Sequence, residues 1–190
     1  MHNVQGSSRG RGFTLIELLV VIAIIGLLSS VVLASLNAAR EKAKIAESVQ
    51  QLHELRNAVA MYVTDTGTYP PKCDLDCTAA TDPYLNALGV KGWDGPYFPG
   101  GVWNLKHPWG GHFTIDYQDI TGDGKPEVYF FLDEDAPGTD DDNNTGMIPV
   151  DAMTAIDKQL DDGNLATGNL RGNGEGYLTV PGEITYIPSL

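Results

Sequence analysis

The sequence predicts an α+β protein: a long N-terminal α-helix, membrane-spanning in its first half, packed on a small antiparallel β-sheet head. Three observations carry this. From Phe13 to Leu36 the only charged residue is Glu17. Beyond Leu36 the same helical stretch becomes amphipathic. The remainder is rich in Gly, Asp, Asn and Pro, with short aromatic and β-branched runs between the turn residues.

The apolar run is long enough to cross ~30 Å of hydrocarbon as a helix. A carboxylate at membrane depth costs about 2.5–3.5 kcal/mol, so Glu17 needs a compensating partner. Arg9 and Arg11 precede the run, which keeps that end cytoplasmic and sends the C-terminal part outward. A secretory signal would have a shorter apolar core and a small-residue cleavage site after it, and no such site is evident. Past Leu36, the residues Ile45, Val49, Leu52, Val59 and Tyr62 recur at helical spacing. Glu41, Lys42, Lys44, Glu47, Gln50, Glu54 and Arg56 lie between them. Gly67 fits a C-terminal stop, with Pro70 and Pro71 beyond it. A helix from about Thr14 to about Asp65 would be ~75 Å long.

In the head, Asp82–Gly89 reads as a short helix, capped by Asp82, with Pro83 in its first turn and Gly89 at its end. Strands are predicted at Phe113–Tyr117, Val128–Leu132, Tyr177–Val180 and Glu183–Ile187, with Pro181-Gly182 as a type II turn between the last two. Residues 150–160 form a second short helix. Trp93, Trp103 and Trp109 are expected in core and turn packing.

The charge balance narrows the function. The 190 residues carry 25 acidic and 12 basic groups, a formal net charge of −13. Without residues 1–12, whose charges are Arg9 and Arg11, the balance is −15. Such a surface repels phosphates, so no general nucleic-acid binding is expected. His2, His53, His107 and His112 are scattered, and no Ser/His/Asp or metal-hydrolase spacing appears, so the protein is not expected to be an enzyme. Cys73 and Cys77 are the only cysteines. A lone close pair suits a local disulfide in an oxidising compartment, stiffening a surface loop; a zinc site is the alternative, without a matching second pair.

Asp119-Ile-Thr-Gly-Asp-Gly-Lys-Pro-Glu127 presents oxygen side chains at Asp119, Thr121, Asp123 and Glu127, with Gly124 after the third. The Lys125 carbonyl adds a further oxygen. Calcium takes six to eight such ligands from a loop with a glycine turn, so calcium is the expected cofactor. The loop resembles those of EF-hands and integrin-like propeller repeats. It departs from them at Thr121, and it lacks the twelfth-position glutamate. The plainer alternative is a metal-free hairpin turn. A second acidic cluster, Asp133-Glu134-Asp135 followed by Asp140-Asp141-Asp142-Asn143-Asn144, reads either as a solvated loop or as another calcium site.

Gly12-Phe13-Thr14-Leu15-Ile16-Glu17 and the apolar residues after it resemble a type IV prepilin signal at every position. The resemblance implies a pilin fold, divided into a leader (1–12), a transmembrane assembly half of the helix (13–36), an amphipathic half (37–66) and a globular head (67–190). It implies cleavage between Gly12 and Phe13 by a prepilin peptidase, N-methylation of Phe13, and pairing of Glu17 with the Phe13 amine of a neighbouring subunit. The alternative for Glu17 is a signal-anchor helix whose carboxylate snorkels to the interface.

Many members of this family carry a proline near Ala34, which this chain lacks. Thr66-Gly67-Thr68-Tyr69-Pro70 is similar to the exit from a pilin's spine helix, and Leu160-Asp161-Asp162-Gly163-Asn164 to a segment near the C-terminus of some prepilins. Gly92-Trp93-Asp94-Gly95-Pro96-Tyr97 and His107-Pro108-Trp109-Gly110 resemble segments of the major pseudopilin of type II secretion systems, with His107 in place of an aspartate.

The expected function is a structural subunit of a type IV pilus-like filament, assembled with identical subunits after contact with the prepilin peptidase and an inner-membrane assembly platform. It resides in the cytoplasmic membrane beforehand, as a single pass with its C-terminus outward. Afterwards it stands in an extracellular pilus or a periplasmic filament. The alternatives are a major-type pseudopilin of a secretion filament and a filament-tip adhesion or DNA-uptake subunit.

Overall fold

A computed structural model describes residues 13–74, 76–135, 146–174 and 181–190. The expected leader (1–12), the strand at Tyr177–Val180 and the acidic stretch Asp140–Asn144 lie outside the described residues. The chain falls into two units, Met1–Arg40 and Glu41–Leu190. Helix α1 spans Leu15–Thr66, within a residue of its predicted limits. Its first part is long and apolar enough to cross a membrane, and its side chains are exposed.

In the second unit, α1 buries Ser48, Leu52, Leu55, Ala58, Val59 and Tyr62. That stripe recurs at three- and four-residue spacing, as a single buried helix face requires. Ile45 and Val49 pack partly against the same core. Strands β1 (Phe113–Gln118) and β2 (Glu127–Leu132) pair antiparallel, from Phe113 opposite Leu132 to Gln118 opposite Glu127. Helix α2 spans Val150–Leu160, as the sequence predicts. Two three-residue strands follow, β3 (Leu170–Gly172) and β4 (Ile184–Tyr186). All pairings are antiparallel, in the order β1-β2-β4-β3. The expected strand at Glu183–Ile187 is therefore present as β4, whereas β3 was not anticipated. Phe113, Ile115, Phe130, Leu132, Met153, Ile156, Leu170 and Ile184 join the α1 stripe in one core.

Asp82–Gly89 is a set of turns, not the expected helix. Leu88 and Gly89 both take positive φ, 46° and 78°, which no helix continues. Asn86 Nδ2 donates to the carbonyls of Ala79 and Asp82, at 2.7 and 3.2 Å, and closes the turn on itself. Asp82 does cap it, accepting the Tyr84 N–H at 2.8 Å. Its other oxygen accepts the N–H groups of Val102 and Trp103, at 2.6 and 3.0 Å, so one buried carboxylate pins two loops.

The Trp93–Tyr97 segment latches the end of α1. Tyr97 Oη donates to Asp65 at 2.9 Å and accepts the Asp94 N–H at 2.8 Å. Its ring packs edge-on against Tyr62 and Trp93, with centroids 5.5 Å away in both cases. Trp93 Nε1 donates to the Pro83 carbonyl at 3.1 Å. Gly92, at φ +88°, lies so close to the Asp65 carbonyl that a Cβ there would collide with it. Lys44, read from the sequence as part of the polar face, instead lies over the Trp109 ring, 5.5 Å from its centroid.

Candidate functional site

At the start of α1, Thr14 and Glu17 bind one another reciprocally. Glu17 Oε2 accepts the Thr14 N–H at 2.8 Å and the Thr14 hydroxyl at 2.9 Å, and the Glu17 N–H donates to Thr14 Oγ1 at 3.2 Å. This is a capping box, which satisfies N–H groups that an α-helix leaves open at its first turn. The Thr-x-x-Glu spacing signals it in the sequence. Phe13, Leu15, Ile16 and Leu18 around it are exposed.

Cys73 and Cys77 are disulfide-bonded, with Cα atoms 5.0 Å apart. Both are buried in the head core, so the bond does more than stiffen a surface loop. The Cys73 N–H donates to the Ile115 carbonyl at 2.9 Å, and the Ile115 N–H returns to Cys73 at 3.1 Å. The chain leaving α1 is thereby fastened to the edge of β1.

The β1–β2 loop brings Asp119, Asp123 and Glu127 together, with one carboxylate oxygen of each inside a 4.8 Å span. That spacing suits a hard cation with oxygen ligands. The carboxylates also organise the loop directly. Asp119 accepts the N–H groups of Gly122 and Gly124, at 2.7 and 2.9 Å, and Asp123 accepts that of Lys125 at 2.9 Å. Glu127 accepts the Ile120 N–H at 3.2 Å and the Thr121 hydroxyl at 3.0 Å. Asp119 and Asp123 are exposed.

Asp133 and Glu134, just past β2, meet Glu183, just before β4, again within 4.8 Å. Burial pushes the Glu183 carboxyl up to about 10, reinforced by the Glu134 side chain and the negative charge of Asp133. Glu183 therefore keeps its proton at neutral pH. Two histidines tie this corner to the preceding loop. His107 is buried, and burial lowers its pKa to about 4. Its Nε2 lies 2.8 Å from the Asp133 carbonyl, and the Trp109 N–H donates to Nδ1 at 3.3 Å. These partners together require a neutral ring protonated on Nε2. His107 thus bridges the Pro-Trp-Gly turn to the end of β2. His112 is also buried, which opposes its charged form. Asp74, the Asp135 carbonyl and Asp133 outweigh that and raise its pKa.

Residues 7–33 match the family model described as the prokaryotic N-terminal methylation motif. Residues 35–147 match that of type II secretion system protein G. The chain belongs to the type II secretion protein G family. Type II secretion system core protein G of Pectobacterium carotovorum subsp. carotovorum is 34% identical over 146 residues, covering 73% of this chain and 85% of the relative. The protein of the same name from Klebsiella michiganensis is 35% identical over 140 residues, covering 70% and 89%. That from Escherichia coli K12 is 42% identical over 67 residues, covering 35% and 46%. No solved structure matches the chain significantly. Both family matches end before α2 begins, so α2, β3 and β4 lie beyond the stretch that defines the family here.

Proposed function

We propose that this chain is the repeating subunit of a type II secretion filament, a major-type pseudopilin. It is held before assembly as a single pass in the inner membrane, with its head on the periplasmic side. Prepilin peptidase cleaves between Gly12 and Phe13, and the new Phe13 amine is methylated. The first half of α1 then packs among identical helices at an inner-membrane assembly platform. The observation that carries this reading is an exposed apolar helix that begins with the Thr14–Glu17 capping box inside the matched methylation motif. Glu17 is costly in lipid alone; opposite a neighbour's Phe13 amine its charge is neutralised, and only one stagger of the helices allows that. Membership of the protein G family favours this over a surface pilus or a tip adhesin. The protein's role is structural rather than enzymatic.

Intact mass of the protein from washed membranes and from filaments sheared off the cells tests the reading. A chain beginning at methylated Phe13 and retained with the cell envelope is expected. An uncut chain in both fractions would refute it, and abundant mature chain in the sheared fraction would favour the surface pilus.

Calcium at the β1–β2 loop is a second part of the proposal. Asp119, Asp123 and Glu127 would supply carboxylates, with Thr121 Oγ1 and the Lys125 carbonyl as neutral ligands. The ion would neutralise charge that the loop's own N–H groups only partly offset. Asp123→Ala is expected to lower Tm in calcium and leave it unchanged in chelator. Identical melting of the parent protein with and without calcium would remove the ion from this loop.

A further inference from the structure

The end of α2 carries a carboxylate in an unusual place. Ala152, Met153, Ile156 and Asp157 are the residues that α2 buries. Asp157 thus lies on the core-facing stripe, one turn beyond Met153. It is fully buried, and neither Oδ1 nor Oδ2 has a hydrogen-bond partner among the described residues. A buried carboxylate left in this state is strongly disfavoured unless a cation or a proton joins it.

The loop after α2 aims two more carboxylates at the same point. One oxygen from each of Asp157, Asp161 and Asp162 lies within 4.8 Å of the others. A calcium ion with ligands at about 2.3–2.6 Å holds opposite oxygens roughly 5 Å apart, which accommodates this set. The loop is fixed by hydrogen bonds of the Asp161 and Asp162 carboxylates, while Asp157 contributes its backbone carbonyl, which accepts the Asp161 N–H at 2.7 Å. Asp161 Oδ2 accepts the N–H groups of Asn169 and Leu170. Asp162 accepts the Asn164 N–H at 2.8 Å and the Thr167 hydroxyl at 2.7 Å. Gly168 takes φ +75°, and a Cβ there would run into the Asp161 carboxylate. The backbone therefore folds tightly around the acidic group.

We propose that Asp157, Asp161 and Asp162 form a calcium site that locks the end of α2 to the start of β3. The donors are all oxygen, and residues 157–170 contain no histidine or cysteine, which selects a hard cation over zinc or copper. An irregular loop with three carboxylates suits calcium better than magnesium, which demands near-ideal octahedral geometry and keeps its waters. Burial and the negative charges of Asp162 and Asp161 raise the Asp157 pKa, against the nearby N–H groups of Gly163 and Asp162. A divalent cation relieves both burial and repulsion.

The test uses the full chain in detergent, stripped with chelator and titrated with calcium in a calorimeter. Asp157→Asn and Asp162→Asn are compared with the parent and with Asp123→Asn. Each α2-loop variant is expected to lose one ion per chain, or to bind it at least tenfold more weakly, while Asp123→Asn retains that ion. Asp162 is exposed, and an asparagine there keeps an oxygen acceptor for the Asn164 N–H and turns an amide donor toward the Thr167 hydroxyl, so Asp162→Asn decides the matter if Asp157→Asn does not fold. No calcium binding by the parent would overturn the site. So would undiminished stoichiometry and affinity in Asp162→Asn.

Discussion

The two parts of α1 differ in where their apolar side chains find partners. Between Glu41 and Thr66, Leu52, Leu55, Val59 and Tyr62 are buried in the core of the head. Between Leu15 and Leu36, the large apolar side chains are between 43% and 87% exposed. Hydrophobic burial is worth about 25 cal/mol per Å², and the first part leaves nearly all of it unrealised within one chain. The second part is thus a component of a folded head, whereas the first is a surface waiting for lipid or for other helices. One helix serves both purposes because its residues switch from uniformly apolar to one-sided near Arg40.

Substitutions in the two parts should therefore separate cleanly. Leu55→Ala removes a fully buried side chain and is expected to cost about 3 kcal/mol of head stability in denaturant unfolding. Leu28→Ala, in the exposed part, is expected to leave that unfolding unchanged; a comparable loss from both would break the distinction. Cys73→Ser opens the ring that fastens the α1 exit to β1. Chain-entropy arguments for so short a loop put the loss at about 2 kcal/mol, readable as a lower Tm. Tyr97→Phe deletes the hydroxyl shared by Asp65 and Asp94, with an expected loss of about 1 kcal/mol confined to the head.

The pH response of Glu183 sharpens the comparison further, because that residue lies in the second unit. Folded Glu183 holds its proton up to about pH 10, against an ordinary value of 4.5. Between those values the folded state binds more protons than the unfolded one, so this group's contribution falls as pH rises. Glu183→Gln should flatten the loss of stability between pH 5 and 9, as seen in urea midpoints. An unchanged slope would mean that Glu183 ionises in the fold.

Periodicity made α1 legible, and aromatic and β-branched runs did the same for β1 and β2. What escaped was set by contacts distant in sequence. Leu170–Gly172 is too short for a strand pattern and exists as β3 only by pairing with β4. Asp82 looks like a helix cap because it does cap a turn, yet its second oxygen is taken by Val102 and Trp103, twenty and more residues away. Close spacing showed that Cys73 and Cys77 can bond, but not that they bond inside the core. The Thr14–Glu17 box was readable from spacing, since both partners lie in one turn. Asp157 was not, because its isolation depends on what α2 packs against. Three acidic residues near one another in a sequence do not distinguish the hairpin loop, whose Asp119 and Asp123 are exposed, from the α2 loop, where Asp157 is buried.

The most direct test of the central claim is the fate of Glu17→Ala in cells. The account predicts a chain that is cut after Gly12, methylated and retained in the membrane, yet absent from filaments, because a neighbour's Phe13 amine has lost its partner. Processed Glu17→Ala chains incorporated into filaments at the parent level would contradict it.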